Sequence, residues 1–384
     1  MLRALLLTFF LCAALTHSVF AQDDSFFETP APHAIIMDYD TGLILFEKDA
    51  RRPLPPASMT KIMTAEMIFQ RLKDGRLTTD TEFTVSENAW RRGGAASGSS
   101  TMFLKPGSNV RVEDLLRGVI IQSGNDACIV LAEGISGSEA AFAEKMTERA
   151  KALGLETASF KNATGWPADG HHISFHDLAR LSAITLETYP EYYPIYAETE
   201  FTWNNITQPN RNPLLGRFQG ADGLKTGRTD EAGYSLVASA KRDGERRIVV
   251  VGGLNSQAQR RDVSEHLMNA AFNDFKLYNL FDANETVGQV PVYMGTEDHV
   301  NVVAPQAVKS ALHKQDRAKL KTQLRYNGHA VAPIQAGDHI ADLIISEPGK
   351  SERITPLVAA AAVKEKSAFG KAITVLIAII RGEK

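Results

Sequence analysis

Cysteine is scarce in this sequence, and its scarcity limits how the fold can be stabilised. Only two of the 384 residues are cysteines, and Cys12 lies in an apolar N-terminal stretch. If that stretch is removed on export, Cys128 alone remains, and no disulfide can form within the chain. Stability must then come from a hydrophobic core, which a chain of this length can supply.

An excess of either charge is also missing. Lys and Arg number 42 and Asp and Glu number 45, which gives a net charge of −3. Proteins that bind nucleic acids usually carry a marked basic excess, so we expect no nucleic-acid partner. Hydrophobic residues at 44% and charged residues at 23% are typical of a soluble globular protein.

The histidines have no partners at the spacing that a metal site requires. His171, His172 and His176 lie close together, but no cysteine or glutamate stands at ligand spacing beside them. A solvated loop followed by a capped helix explains these residues better than zinc. We expect neither a metal nor a cofactor.

The first 21 residues have the pattern of an export signal. Arg3 gives a short positive segment, residues 4–15 are apolar, and Val19-Phe20-Ala21 places short side chains before Gln22. The mature chain is expected to begin at Gln22, outside the cytoplasm. An uncleaved N-terminal membrane anchor is the alternative.

Strand patterns at both ends of a helical region predict an α/β (α+β) domain over residues 22–282. One hairpin is expected around residues 34–46 and a second at 233–251, with helical patterns between them and a further helix at 264–278. Such an order favours a sheet whose first and last strands come from opposite ends of the domain.

The residue pattern of the sequence changes after residue 282. Short β-rich runs separated by turn residues predict a small all-β domain over residues 283–355. These runs lie at 286–293, 300–303, 320–326, 331–334 and 340–345.

The remaining segment, 356–384, is predicted to form an amphipathic helix that lies on a membrane. Its apolar stretch at 372–380 is only nine residues long, and a spanning helix needs about 20. From residue 361 onwards there are five Lys or Arg and two Glu, which suits an anionic lipid surface. A helix packed on the β-domain is the alternative.

The first residues that indicate a catalytic site are Ser58 and Lys61. Pro55-Pro56 hold the incoming chain extended, and the segment from Met59 to Lys73 is predicted to be helical. Residues at i and i+3 share a helix face, so the Ser58 hydroxyl and the Lys61 amine can meet. Lys61 becomes a useful base only if desolvation or a second cation lowers its pKa.

Two further motifs follow in order, Ser123-Gly124-Asn125 and Lys225-Thr226-Gly227. Ser-x-x-Lys, Ser-x-Asn and Lys-Thr-Gly are the set found in penicillin-binding proteins and class A β-lactamases. Each motif alone is weak, but all three in this order, behind an export signal, are a specific indication.

The residue types fit acyl transfer from a peptide. Ser58 is the expected nucleophile, Lys61 its base, and Ser123 the relay that carries a proton to the leaving amine. Asn125 is expected to hold Lys61 and the substrate amide, while Lys225 keeps the site positive. Gly227 lets the substrate backbone approach, and the oxyanion donors are expected to be the backbone N–H groups of Ser58 and Arg228.

The chain resembles D-alanyl-D-alanine carboxypeptidases of the low-molecular-mass penicillin-binding protein type, serine peptidase family S11. The resemblance covers nearly the whole mature chain. Besides the three motifs, it rests on Phe103-Leu104-Lys105-Pro106-Gly107, Asn210-Arg211-Asn212, Asp222-Gly223-Leu224 and Ala232-Gly233-Tyr234.

This resemblance implies a penicillin-recognising, β-lactamase/transpeptidase-like domain that removes D-alanine from peptidoglycan stem pentapeptides and is acylated by β-lactams. It also implies a periplasmic enzyme attached to inner-membrane lipid by its C-terminal helix. Thr226 is implied to bind substrate, and Arg211 and Arg260 to bind its carboxylate, although Arg261 is adjacent to the second. Arg228 stands where the family often has His, and Thr164 where some members have His, which puts any auxiliary role of Thr164 in doubt.

Three other functions use related residues. A class A β-lactamase needs a glutamate after Ser-x-Asn, and residues 160–170 contain none. A penicillin sensor would need a membrane-spanning signalling segment. A DD-endopeptidase uses the same chemistry on cross-linked peptides, and the sequence leaves it open.

Overall fold

The structure is a computed structural model that describes residues 26–381, with side chains up to residue 375. The predicted export signal, 1–21, lies outside the described residues. The α-helices are α1 (Lys61–Lys73), α2 (Glu87–Gly93), α3 (Val112–Ile120), α4 (Asn125–Ser136), α5 (Glu139–Ala152), α6 (Phe175–Thr188), α7 (Gln257–Asn273) and α8 (Ala368–Arg381).

The strands alternate with these helices and then follow them. In the N-terminal part they are β1 (His33–Asp38), β2 (Ile44–Lys48), β3 (Glu82–Thr84), β4 (Asn109–Arg111), β5 (Glu200–Trp203), β6 (Ile206–Pro209), β7 (Ala221–Thr229), β8 (Gly233–Arg242) and β9 (Glu245–Leu254). In the C-terminal part they are β10 (Phe275–Phe281), β11 (Thr286–Tyr293), β12 (His299–Val303), β13 (Val308–His313), β14 (Lys321–Arg325), β15 (Ala330–Val331), β16 (His339–Ser346) and β17 (Arg353–Ala359).

The main sheet joins the two ends of the N-terminal part, as the sequence predicts. Its five strands run in the order β2-β1-β9-β8-β7, and every neighbouring pair is antiparallel. The hairpin β1-β2 therefore pairs with strands that follow it by some two hundred residues. The predicted α/β (α+β) architecture is confirmed.

Both faces of this sheet are buried. Ile248 and Val250 of β9 point into a large core beneath α1 and α3–α6, whereas Val249 and Val251 face a smaller core beneath α7. Alternation along a strand sends neighbouring side chains to opposite faces, so an unbroken apolar run is what a two-sided burial requires.

The C-terminal part is a second β-structure with its own core. A six-stranded sheet has the order β14-β16-β17-β12-β11-β15, and β10 pairs with β13 beside it. The core of the sheet consists only of Val, Ala, Ile and Leu side chains. The predicted C-terminal β-domain is thus present.

Three predicted elements differ from the structure. The helix expected over 264–278 ends at Asn273, and the chain continues as β10, because pairing with the distant β13 determines its conformation. The stretch at 90–100, whose Gly, Ala and Ser residues predict a long loop, is helical up to Gly93. The tail helix begins at Ala368 rather than near 356, since β17 extends the sheet to Ala359.

The tail leaves the β-structure at a fixed point. Lys366 N donates to Met294 O at 2.9 Å, and Thr296 N donates to Lys364 O at 2.8 Å, so the segment before α8 is tied to the β11-β12 turn. No helix among the described residues has both the length and the apolar character needed to cross a bilayer.

Candidate active site

Ser58 lies on a tight turn that precedes α1. Residues Ala57–Thr60 form a 3₁₀ turn, and Ala57 adopts a positive φ of 49°. The helix expected from Met59 therefore begins at Lys61 instead. The i to i+3 relation survives this change, since Lys61 Nζ lies 3.1 Å from Ser58 Oγ.

Lys61 is buried, with 1% of its surface exposed. Its Nζ also donates to Asn125 Oδ1 at 2.7 Å and to the Thr164 carbonyl at 2.6 Å. Burial lowers the pKa of Lys61 to about 8, and the charge of Arg211 acts in the same direction. Of the two causes that the sequence left open, desolvation or a second cation, desolvation is thus the main one.

Ser123 and Asn125 come from the junction between α3 and α4. Ser123 has a φ of 59°, an uncommon conformation for a residue with a side chain. Two backbone bonds hold this junction, from Gly124 N to Gly118 O and from Asn125 N to Ser100 O, each 2.8 Å. The turn places the side chains of Ser123 and Asn125 in the lining of one cleft with Ser58.

Strand β7 forms the opposite wall of this cleft. Lys225 and Thr226 are 2% and 6% exposed. Burial, followed by repulsion from Lys61, lowers the pKa of Lys225 well below its usual value. A Cβ at Gly227 would lie 3.0 Å from Pro56 O and 3.3 Å from Ala57 Cβ, so glycine permits β7 to run close beside the Ser58 turn.

Two further arginines line the cleft. Arg211 donates to Ser100 Oγ, and Arg260 is 7% exposed with its guanidinium 5.7 Å from the Tyr234 ring centroid. Arg260 Nε has no hydrogen-bond partner among the described residues. Arg261, the alternative position, is outside the cleft and pairs with Asp262. The structure therefore brings Arg260, not Arg261, to the site.

The cleft has a volume of about 690 Å³, and none of the described residues that line it is acidic. Its basic lining residues are Arg211, Arg228 and Arg260, with Lys61 and Lys225 buried close by. Arg228 is held at its rim by Asp230 at 2.7 Å. A cleft with several cations and no anion attracts a negatively charged ligand.

Sequence reasoning missed several side chains in and around the cleft. Asn125 Nδ2 donates to Ser99 Oγ at 2.9 Å, and Ser99 and Ser100 belong to a stretch rich in Gly, Ala and Ser that carried no signal beyond that of a loop. Asp126 fixes this stretch by accepting from Thr101 Oγ1 at 2.7 Å and from Met102 N at 2.8 Å. The aspartate directly after Ser-x-Asn was the sequence feature that could have indicated these contacts.

Thr164 contributes through its backbone. Its side chain bonds within its own loop, but its carbonyl accepts a hydrogen bond from Lys61. The sequence left the role of the Thr164 side chain in doubt. The group that contacts Lys61 is instead the main-chain carbonyl of Thr164, which any residue at this position would supply.

The other sequence-predicted candidates lie outside the cleft. Burial raises the pKa of the Cys128 thiol to about 12, as expected of a packed core cysteine. The solvated loop expected for His171 is wrong, because this side chain is 5% exposed and its Nε2 lies 2.8 Å from Thr60 Oγ1. Burial lowers the pKa of His171 to about 4. Within residues 26–381 there is no group of three or more His, Cys, Asp or Glu that could hold a metal.

Comparisons with known proteins agree with both parts of the chain. A family model described as D-alanyl-D-alanine carboxypeptidase matches residues 18–256, and one described as penicillin-binding protein 5, C-terminal domain, matches 275–365. The D-alanyl-D-alanine carboxypeptidase DacC of Escherichia coli K12 is 39% identical over 340 residues, which cover 88% of this chain and 85% of that relative.

Two solved structures are similar. The D-alanyl-D-alanine carboxypeptidase DacD from Francisella tularensis matches with a TM-score of 0.76 and 32% identity, covering 93% of this chain and 99% of that one. Penicillin binding protein 5 from Haemophilus influenzae matches with a TM-score of 0.69 and 34% identity, covering 88% of this chain and 98% of that one.

Proposed function

Because the chain belongs to the D-alanyl-D-alanine carboxypeptidase family, we propose that its cleft removes the terminal D-alanine of peptidoglycan stem pentapeptides through an acyl-enzyme on Ser58. The observation that carries the assignment is the buried Lys61 amine 3.1 Å from the Ser58 hydroxyl, at the wall of a cationic cleft. A serine with a buried amine beside it is an activated nucleophile.

Acylation begins when neutral Lys61 accepts the proton of Ser58. Ser58 Oγ bonds to the carbonyl carbon of the penultimate D-alanine, and the resulting oxyanion is stabilised by the backbone N–H groups of Ser58 and Arg228. The C–N bond then breaks. Through Ser123, the leaving amine of the terminal D-alanine takes the proton that Lys61 accepted from Ser58, and Lys61 is neutral again. The products of this step are free D-alanine and an ester on Ser58.

Hydrolysis of that ester completes the cycle. Water gives up one proton to neutral Lys61 and adds its oxygen to the ester carbon, and the proton returns to Ser58 Oγ as the C–O bond breaks. Asn125 assists both halves, since its Oδ1 accepts from Lys61 while its Nδ2 lies towards Ser99 at the cleft wall. No cofactor is needed for this sequence of steps.

A substrate carboxylate is bound by Thr226 together with two arginines that line the cleft, Arg211 and Arg260. Arg260 supports this assignment, because a buried guanidinium N–H without a partner is costly unless a ligand pairs with it. Recognition of a free terminal carboxylate favours a carboxypeptidase over a DD-endopeptidase, whose substrate continues beyond the scissile bond.

β-Lactams are expected to acylate the same serine, since penicillin also presents an amide beside a carboxylate. Rapid release of the drug, as in a class A β-lactamase, would need a carboxylate free to activate water. Glu139, whose charge acts on Lys61, is occupied by Ala163 N at 3.2 Å and Arg92 at 3.2 Å. The penicillin ester therefore has only Lys61 to activate water, and it should be released far more slowly than by a class A β-lactamase.

The enzyme is proposed to act in the periplasm, held to the inner membrane by α8. Phe369 is 77% exposed and Ile373 is 42% exposed, which supports a helix with its apolar face directed away from the β-structure. Exposed apolar side chains on a helix flanked by lysines suit the interface of an anionic bilayer. The predicted apolar side chains beyond Val375 lie outside the described residues.

One experiment tests the reaction. The intact mass of the mature protein should increase by the mass of one penicillin, and a stem pentapeptide should release D-alanine. Ser58→Ala should abolish both, whereas Ser138→Ala, which changes only the helix cap of α5, should retain both. An adduct that persists in Ser58→Ala and maps to another residue would overturn the assignment.

A further inference from the structure

The carbonyl that binds Lys61 belongs to a segment without regular secondary structure. Residues 162–166, called the acceptor loop here, form neither helix nor strand. The middle of the loop is nevertheless buried, with Ala163 and Thr164 at 0% and 1% exposure. Because no ladder of backbone bonds holds the loop, its buried polar groups need other partners.

Asn162 supplies most of these partners from a single side chain. Its Oδ1 accepts from Gly165 N at 2.7 Å, from Thr164 Oγ1 at 3.0 Å, and from Thr164 N and Trp166 N, each at 3.2 Å. Its Nδ2 donates to Trp166 O at 2.9 Å. The Asn162 amide therefore sets the curvature of the loop around Thr164.

The loop is also fixed to its surroundings. Ala163 N donates to Glu139 Oε1 at 3.2 Å, and Ala163 O accepts from Thr64 Oγ1 of α1 at 2.7 Å. Gly165 has a φ of 88°, and a Cβ there would lie 1.9 Å from Ala57 O. These contacts hold the loop against the same helix and turn that carry Lys61 and Ser58. Asn162 itself does not line the cleft.

The contacts of Lys61 show why a fixed carbonyl matters. An ammonium has three N–H donors, which match its three acceptors, Ser58 Oγ, Asn125 Oδ1 and Thr164 O. A neutral amine has only two N–H bonds and one lone pair. Since Thr164 O can only accept and Asn125 presents its oxygen, these two take both N–H bonds. The lone pair is then left for Ser58, whose hydroxyl can donate.

We propose that Asn162 is a positioning residue for acyl transfer: it fixes the Thr164 carbonyl, which together with Asn125 orients the lone pair of neutral Lys61 towards Ser58. Asn162 touches neither substrate nor reacting atoms and acts through the loop that it holds, above all through the Thr164 carbonyl. This inference rests on the proposed role of Lys61 as the base.

The test is the rate constant of acylation by penicillin, measured against pH in Asn162→Ala. The rate constant should fall about 100-fold, the effect of a displacement of roughly 1 Å at a reacting group. The dissociation constant of the non-covalent penicillin complex should change far less than this rate constant, because Asn162 itself is outside the cleft, which only Gly165 and Trp166 of the acceptor loop line.

The pH profile separates positioning from a general loss of structure. Loss of a carbonyl acceptor disfavours the ammonium, so the acid limb should move to lower pH in Asn162→Ala. Asn162→Asp keeps an oxygen acceptor but adds a negative charge to those of Glu139 and Asp126, against the positive charges of Lys225 and Arg211. Its acid limb should move to higher pH.

Ser174→Ala is the matched control, since it removes another short side-chain bond, from Asp177 N at 3.0 Å, at the start of α6. It should lower the melting temperature without moving the limb or the acylation rate. The proposal is overturned if neither Asn162 variant moves the limb, or if their rate loss equals the fraction unfolded. Should Lys61→Arg also acylate normally, the assignment of the base fails instead.

Discussion

Charged groups are buried throughout the N-terminal part of the molecule, whereas the core of the C-terminal sheet is built from aliphatic side chains alone. Lys61, Lys225 and Glu66 are each at most 2% exposed. Among the described residues, the hydrophobic core of the β-structure is formed by Val, Ala, Ile and Leu, and the buried Asp316, at 2% exposure, lies outside that core. Burying a charge is costly unless it is paired or used. The contrast separates a part of the chain whose buried groups include the candidate catalytic side chains from a part whose core is stabilised by packing of aliphatic side chains.

Not every buried charge in the N-terminal part is catalytic. Glu66 accepts from Arg149 and from the Tyr189 hydroxyl at 2.8 and 2.9 Å, and Arg247 pairs with Asp38 in the sheet. Lys61 and Lys225 differ because each is a buried amine whose hydrogen bonds reach only uncharged oxygens. Buried amines without a paired anion are thus the feature that marks the candidate site.

The largest expected effect follows from removing the base while keeping the charge. Lys61→Arg retains a cation but cannot give up its proton near neutral pH. Acylation by penicillin and release of D-alanine should both fall by about two to four orders of magnitude, the range for a lost general base. Stopped-flow acylation measures this directly, and near-normal rates would move the base to another residue.

A smaller effect is expected from the arginines. Truncation of a desolvated charge paired with a carboxylate costs about 2 kcal/mol or more, so Arg260→Ala should lower kcat/KM about 30-fold. Arg211→Ala should cost less, because Arg211 is exposed and already bonded to Ser100.

The control for the arginines is the same peptide amidated at its C-terminus. Because the charge of Arg211 also lowers the pKa of Lys61, the comparison is made well above pH 8, where both variants should hydrolyse the amide at the rate of the unchanged enzyme. If Arg260→Ala slows the free acid and the amide equally, Arg260 does not bind the carboxylate. A larger loss in Arg211→Ala than in Arg260→Ala would reverse the assignment between them.

Below the pKa of Lys61, the acylation rate should rise about tenfold per pH unit. Acylation needs neutral Lys61, and its pKa is lowered to about 8. The protonated form dominates below that pH, so the acylation rate should rise with pH up to about 8 and then level off. A profile already flat between pH 6 and 8 would mean that Lys61 is neutral throughout, or that it is not the base.

The same contrast explains what could be predicted from the sequence. Ser58, Lys61, Ser123, Asn125 and Lys225 belong to short motifs, so they were found without knowledge of the fold, and the β-runs after 282 were readable because strands alternate. The Thr164 carbonyl was not predictable, since a backbone group leaves no residue signature. Strand β10 was missed because its conformation depends on β13, which lies some thirty residues further on.

The smallest effect on catalysis is expected at the far end of the chain. Ending the chain after Ser367 removes α8 but keeps the bond from Lys366 N to Met294 O, so the β-structure should stay intact. The acylation rate and the melting temperature should not change, whereas the protein should move from the membrane fraction to the soluble periplasmic fraction. The exposed apolar face of α8, not the cleft, is the expected lipid contact.

Two substitutions within α8 distinguish lipid binding from packing on the protein. Phe369→Ser removes the most exposed aromatic side chain of the helix, at 77% exposure, and should release part of the protein from vesicles that contain anionic lipid. Thr374→Ser keeps the hydroxyl that accepts from Lys366 Nζ and donates to Gly370 O, and it should leave vesicle binding unchanged. If the shortened chain stays on the membrane, another surface binds lipid. If it loses penicillin binding, α8 stabilises the fold, and the separation between the two parts of the molecule fails at that point.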